Sequence, residues 1–172
     1  MTLIRREADG DQIAVHALQD AAFKTAAHAS GHEADLVDAL RGTDAWDPRF
    51  SLVAETDGEV TGHVVSTYGT LAGTRVLGLG PIGVDPARHG KGIGSALMHA
   101  AIGAADAAGE PAIILLGDPK FYGRFGFVPA SAHGVDPGPH EWGDYFQIRT
   151  LAAWNDDLHG SFAYAPPFDQ FG

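Results

Sequence analysis

The sequence predicts a mixed α/β domain rather than a doubly wound one. Three observations carry this expectation. The apolar period changes from helical to alternating near Ser51, and the turn dipeptide Asp57-Gly58 then joins two alternating runs. A strongly helical segment, Gly92 to Ala108, is followed by the short apolar run Ala112 to Leu116, as in a β–helix–β unit. The chain has 172 residues, 45% hydrophobic and 19% charged, which suits one globular domain. A domain of that size buries roughly 70% of its unfolded surface and needs no staple. Residues 1–172 are read as a single domain, with 131–172 a C-terminal extension bearing a late strand and an aromatic tail.

Taken in order, Leu3 to Arg6 alternates weakly and is read as a short strand. Asp11 to Phe23 is read as a helix with Ile13, Leu18 and Ala22 toward one side. Ser30-Gly31-His32-Glu33 fits a capping box, in which the Ser30 hydroxyl takes the Glu33 N–H and the Glu33 side chain reaches back. Leu36, Ala39 and Leu40 follow at helical spacing, and Gly42 ends that helix. Ser51 to Thr56 and Glu59 to Tyr68 are strands of a hairpin whose Asp57-Gly58 turn needs positive φ angles. Ala72-Gly73-Thr74 is a second turn, and Arg75 to Val84 a third strand. Pro86 to Lys91 is a loop, and Gly92 to Ala108 a helix with Ile93, Leu97 and Ala101 on one face, stopped by Gly109. Ala112 to Leu116 reads as a buried strand, Lys120 to Phe125 as a helical turn or two, and Phe127 to Pro129 as extended. Ser131 to Trp142 is a loop, Tyr145 to Leu151 a late strand, and Ser161 to Gly172 an aromatic, proline-bearing tail.

Composition narrows the function. There is no cysteine, which excludes disulfides, a thiol nucleophile and cysteine-ligated metals. Eleven basic against 22 acidic residues give a net charge of -11, which disfavours nucleic acid and favours cationic or amine-bearing partners. No apolar run reaches the roughly 18 residues of a membrane helix. Arg5 and Arg6 are followed by Glu7, Ala8 and Asp9 instead of an apolar stretch, so the expected location is the cytoplasm, without a signal peptide or membrane contact. His28 and His32 are four apart, but Gly31 and the capping box argue against one helix carrying both, and no HExxH occurs, so no metal site is expected.

Two glycine patterns compete. Gly78-Leu79-Gly80-Pro81-Ile82-Gly83 matches GxGxxG, but Pro81 interrupts it and Val84-Asp85-Pro86 follows where a dinucleotide site needs a helix. A kinked or bulged strand is the simpler reading. His89-Gly90-Lys91-Gly92-Ile93-Gly94-Ser95 instead opens the strongest helix. Its glycines let backbone approach a ligand, and its N–H groups at a helix start form a pyrophosphate cradle. It is not a P-loop, because Gly92 follows Gly90-Lys91 where Ser or Thr is required.

Here the sequence resembles the GNAT superfamily of acyl-CoA N-acyltransferases. The family signature, Gln or Arg, two residues, Gly, one residue, then Gly or Ala, stands here as His89 to Gly94, preceded by the strand and turn Gly80 to Pro86. Phe121-Tyr122-Gly123-Arg124-Phe125-Gly126-Phe127 resembles the family's aromatic-Tyr segment followed by Gly-Phe. Ala112 to Leu116, the link Gly117-Asp118-Pro119 and the tail Tyr164-Ala165-Pro166-Pro167-Phe168 are similar to the stand-alone bacterial, YhbS-like predicted acetyltransferases. The resemblance runs from about residue 3 to the end, and its one departure is His89 at the first signature position.

The resemblance implies a mostly antiparallel sheet with a central, splayed parallel strand pair flanked by helices. It implies acetyl-CoA as co-substrate, in a slot made by Ile82, Gly83, Val84, His89, Gly90, Lys91, Gly92, Ile93, Gly94 and Ser95. Ile82 and Val84 would offer backbone groups to pantetheine, and Gly90 to Ser95 would hold the pyrophosphate. Two readings stand for Lys91, a phosphate contact or a solvated lysine. Arg88, Lys91, Lys120 and Arg124 are four of the eleven basic residues, a local bias that suits a polyanionic cofactor. Tyr122 matches the family's general acid, with a packing aromatic as the alternative. His63, mid-strand, is the candidate base, with a structural histidine as the alternative and Glu33 and Asp118 as weaker candidates. Trp142, Tyr145 and Phe146 either wall the acceptor pocket or serve as ordinary core.

The reading is an N-acetyltransferase acting on a primary amine of a small molecule or protein, as a monomer or homodimer. The alternatives are a non-catalytic acyl-CoA sensor and an acyltransferase using another acyl-CoA such as succinyl-CoA.

Overall fold

The computed structural model describes residues 1–172 except Thr25, Ala27 and His28. The His28–His32 pair weighed above therefore lies partly outside the described residues. The chain runs β1 (Thr2–Arg6), α1 (Gln12–Phe23), α2 (Glu33–Arg41), β2 (Ser51–Thr56), β3 (Glu59–Leu71), β4 (Thr74–Val84), α3 (Ile93–Ala107), β5 (Ala112–Leu116), α4 (Pro119–Tyr122), β6 (Val128–Pro129), β7 (Val135–Asp136), β8 (Phe146–Thr150), β9 (Gly160–Ala163) and α5 (Pro167–Phe171). Among the described residues the sheet order is β1-β2-β3-β4-β5-β8-β6, with β9 pairing to β3 and β7.

The meander forms where its turns demand it. Asp57 (φ 52°) and Gly58 (φ 84°) are both left-handed, as a two-residue hairpin requires, and Ala72 and Gly73 repeat this at φ 48° and 87°. All pairings from β1 to β4 are antiparallel. β4 and β5 run parallel and pair only through Leu77 with Ile113 and Gly78 with Ile114. Beyond Gly78 the two strands part. The β3–β4 register also slips there, from Ser66 opposite Leu79 to Val64 opposite Ile82, which leaves Gly80 and Pro81 as a bulge. The GxGxxG segment is thus a bulged strand, and the mixed sheet with its splayed parallel pair is present as expected.

Strand alternation distributes the core to both faces. Leu52, Ala54, Val64, Leu77, Ile113 and Leu115 face α3, where Leu97, Met98, Ala101 and Ala105 are buried. Val53 and Val65 face the other way, onto Val15 of α1 and Val37 of α2. Each fully buried Leu or Val is worth roughly 1.5–3 kcal/mol relative to exposure. Glycines let both helices come close. A Cβ at Gly62 would lie 2.9 Å from Ile93 Cγ2 and from Leu97 Cδ1, so α3 rests directly on β3. A Cβ at Gly83 would lie 2.6 Å from Gln19 Oε1, so α1 rests on β4.

Three local expectations are corrected. Ile13 is 87% exposed, because α1 turns Val15, Leu18 and Gln19 inward. Residues two apart stand about 200° around a helix, so Ile13 and Val15 cannot share a face. The capping box is half formed. Glu33 Oε1 accepts the Ser30 N–H at 2.7 Å, but the Ser30 hydroxyl takes the His32 N–H at 3.1 Å. Gly31 is left-handed (φ 83°), so the helix starts at Glu33 rather than directly after Ser30. The tail holds β9 and α5, which local pattern missed because β9 has four residues and owes its shape to distant partners. No helix among the described residues is long and apolar enough to cross a membrane.

Candidate active site

The splay between β4 and β5 opens a cleft of about 520 Å³. Its walls come from four places: the end of β4, the following loop with the first turn of α3, the end of α1, and α4. Ile82, Gly83, Val84, His89, Gly90, Gly92, Ile93, Gly94 and Ser95 all line it, together with Tyr122. Lys91 is exposed and lines no part of it.

The cradle follows from backbone geometry. Gly90 (φ 77°) and Gly92 (φ 81°) adopt left-handed conformations that reverse the loop and aim α3 at the cleft. The first helical bond runs from Ala96 N–H to Gly92 C=O at 3.0 Å. The N–H groups of Ile93, Gly94 and Ser95 therefore have no helical acceptor and form a positive helix terminus. A Cβ at Gly94 would meet Val84 Cγ2 at 3.7 Å and Phe121 Cζ at 3.9 Å, ordinary contact, so glycine leaves open cleft rather than relieving a clash. These donors fit a diphosphate. The nearby guanidiniums are less free than charge counting implied. Arg88 reaches Glu59 at 3.2 Å and Asp85 at 3.4 Å, and Arg124 lies over the Phe121 ring at 5.0 Å.

Tyr122 is placed by α4. Asp118 accepts the Lys120 N–H at 2.9 Å and so caps that turn, with Pro119 at its first position. The Tyr122 ring sits edge-on to Phe121 (4.8 Å) and Phe127 (6.1 Å) and lies directly against Gly117, where no side chain fits. Burial pushes its hydroxyl up to about 12. The group therefore stays protonated throughout the range in which amines become neutral.

His63 is elsewhere. It points to the α1 side of β3, is fully buried and is not among the residues that line this cleft. Gln19 Nε2, a donor only, bonds to His63 Nδ1 at 2.8 Å, so His63 Nε2–H donates to Ser51 Oγ at 2.9 Å. Ser51 Oγ donates in turn to Glu7 Oε2 at 2.7 Å, and Arg41 lies 2.7 Å from Glu7 Oε1. The alternation that put His63 opposite Gly62 is right, but the face it reaches is a packed interface rather than an acceptor surface. Burial pulls the imidazole down to about 4.

That shift predicts a pH dependence of stability. Both states hold His63 neutral above pH 6.5, and below it the unfolded chain takes up a proton that the folded chain refuses until about pH 4. Stability is therefore lost as pH falls through that window, by about 3 kcal/mol at 1.36 kcal/mol per unit. His63→Gln is expected to flatten the fall in melting temperature between pH 6.5 and 4 relative to wild type. Parallel slopes in the two proteins would remove His63 as its source.

Sequence reasoning missed Ala22 and Phe23, which close the cleft from the end of α1. Their only local cue is an apolar residue at a helix terminus. Among the described residues His16, Asp35 and Asp38 form the one cluster with metal-ligand spacing, and none of them lines the cleft. Trp142 is partly buried against the aromatic tail, Phe146 is core, and Tyr145 is half exposed.

A glycine-turned helix start facing a splayed parallel strand pair is one arrangement that known proteins also build. The family model described as the acetyltransferase (GNAT) family matches residues 14–127. The chain belongs to the GNAT family. The uncharacterized N-acetyltransferase YhbS of Escherichia coli K12 is 31% identical over 163 residues, covering 92% of this chain and 91% of YhbS. The uncharacterized N-acetyltransferase YjhQ of the same strain is 31% identical over 152 residues, 84% of each chain. The crystal structure of Escherichia coli YhbS in complex with CoA superimposes with a TM-score of 0.87 over 99% of this chain and 93% of that one. A GNAT family acetyltransferase from Brucella melitensis in complex with acetyl-CoA superimposes with a TM-score of 0.82 at 34% identity, over 98% and 99%. This GNAT protein is an acyltransferase.

Proposed function

We propose that this GNAT protein, acting as one domain in the cytoplasm, moves the acetyl group of acetyl-CoA to a primary amine, with Tyr122 as acid to the leaving thiolate. The observation that carries the proposal is that one cleft joins the free N–H groups of Ile93, Gly94 and Ser95, the strand end Ile82 to Val84, and the Tyr122 side chain. The CoA and acetyl-CoA complexes of the two structural relatives support the choice of co-substrate.

In the proposed reaction the neutral amine attacks the thioester carbon. The C–N bond forms, the C–S bond breaks, and the electron pair leaves on sulfur. Tyr122 donates its hydroxyl proton to that sulfur and recovers one from the new amide nitrogen. The proton first shed by the ammonium form of the amine is the net proton released. The cradle contributes affinity through the diphosphate, away from the bonds that change, and so positions the thioester. The step uses no metal ion. His63 has no part in it, since its buried ring does not line this cleft and both nitrogens are engaged.

The first experiment is thermal unfolding with acetyl-CoA, CoA, NAD and ATP in parallel. A ligand at one hundred times its Kd adds about 2.7 kcal/mol, worth roughly 5–10 °C in a chain of this size. Acetyl-CoA and CoA are expected to shift the transition, and NAD is not. Thiol release on adding amines then separates an enzyme from an acyl-CoA sensor, and succinyl-CoA in the same assay tests the acyl group. No shift with either CoA species overturns the proposal.

A further inference from the structure

The gap between β4 and β5 has a second mouth. Ile82 to Val84 border the cleft already described, whereas Leu79, Gly80 and Pro81, the preceding residues of β4, border another cavity of about 520 Å³ with Leu116 of β5. The two cavities meet the same splayed pair. Between them stand Tyr122, lining the first, and Tyr164, lining the second. Tyr164 is partly buried, and burial first and the charge of Tyr122 second raise its hydroxyl.

The walls of the second cavity are aromatic. His140 stacks flat on Trp142 at 4.1 Å and 3°, Tyr164 lies 6.2 Å from Trp142, and Phe168 lies 4.6 Å from Tyr164. No lysine or arginine is among its described lining residues, and its acids are Glu33 and the exposed Asp169. Glu33 is only half satisfied. Its Oε1 takes the Ser30 N–H at 2.7 Å, while its Oε2 is buried without a partner among the described residues. A carboxylate short of donors is costly, and a donor that reaches the group removes that cost.

We propose that this cavity takes the acceptor, and that the acceptor is a monoamine carried on an aromatic body, with the Glu33 carboxylate receiving the amine. This deepens the acetyltransferase reading and rests on it. The aromatic walls match a flat apolar group, and the volume is that of a small-molecule site. Glu33 supplies one carboxylate inside. A polyamine would bring further ammonium groups against Phe, Trp and Pro with no second enclosed carboxylate to pair them, and an unpaired charge there is disfavoured. The net charge of -11 thus describes the surface and not the acceptor pocket. In the transfer Glu33 accepts the proton that the ammonium sheds before attack, which then passes to solvent.

The test compares phenethylamine and tryptamine with hexylamine and spermidine, by thiol release with acetyl-CoA, in the wild-type protein and in Glu33→Gln and Trp142→Ala. The arylalkylamines are expected to exceed spermidine in kcat/KM by at least tenfold. Glu33→Gln keeps a carbonyl to accept the Ser30 N–H, so the α2 cap persists, and it should lose at least tenfold in kcat/KM with acetyl-CoA affinity unchanged. Trp142→Ala should raise KM for the arylalkylamines more than for hexylamine and leave kcat within about threefold. Preference for spermidine, or full activity in Glu33→Gln, overturns the inference while leaving the acetyltransferase reading intact. If CoA binds but no amine turns over, calorimetry of phenethylamine with the CoA-loaded protein decides, and no binding overturns it. If neither CoA species binds, the underlying reading fails first.

Discussion

Tyr122→Phe is expected to lower kcat for acetyl transfer by about 100-fold, while acetyl-CoA affinity stays within twofold. The substitution removes one oxygen and keeps the ring that packs on Phe121, Phe127 and Gly117, so the wall of the cleft is preserved. What it removes is the proton for the departing sulfur, and general acids contribute typically 10²–10⁴-fold. An effect on kcat and kcat/KM in equal measure marks an interaction made only in the transition state. The raised hydroxyl adds a second signature. With Tyr122 pushed up to about 12, the wild-type rate should climb with pH as the amine loses its proton and show no alkaline fall through about pH 10. Unchanged turnover in Tyr122→Phe would leave Tyr122 as a packing residue, and water or Tyr164 would have to supply the proton.

Gly94→Trp is expected to weaken acetyl-CoA binding by at least 100-fold and to leave the fold in place. Gly94 is in the first turn of α3 with an ordinary φ, and the space beyond its Cα is the cleft itself. A Cβ there has room at 3.7 and 3.9 Å from its neighbours, so the backbone need not move. The indole would then occupy the volume that the diphosphate needs above the Ile93 to Ser95 N–H groups. The same substitution at Gly92 would combine blockage with the strain of a left-handed φ of 81°, which makes Gly94 the cleaner test. Calorimetric titration of acetyl-CoA together with the melting temperature separates loss of the site from loss of the fold. Normal affinity in a folded Gly94→Trp protein would place the diphosphate elsewhere.

His89 stands where the family signature carries Gln or Arg, and in the proposed cofactor site this departure is expected to be tolerated. It lies exposed at the rim of the cleft, while the donors of the cradle belong to the backbone beyond it. A backbone site depends on φ and ψ, which Gly90 and Gly92 supply, and not on which side chain precedes them.

The sequence by itself determined the elements whose causes are local. Paired left-handed residues at Asp57-Gly58 set the hairpin, an uninterrupted apolar face made α3, and the five residues Ala112–Leu116 were delimited by Gly109 and Gly117. The cradle was legible for the same reason, since glycines and a helix start adjoin along the chain. Tyr122 was singled out by the resemblance of its segment to the family, and the structure adds that it lines the cleft.

Tertiary structure alone decided the rest. Whether His63 faces a cavity or a packed helix is set by where Gln19 of α1 lands, 44 residues away. Phe23 joins the cleft because α1 rests on Gly83, and the aromatic wall exists because the tail folds back so that Phe162 pairs opposite Leu71. Local pattern reports which side chains share a face, because backbone geometry repeats every few residues. It carries no record of which face a distant segment covers, because that depends on loop closure and on packing between surfaces brought together only in the folded chain.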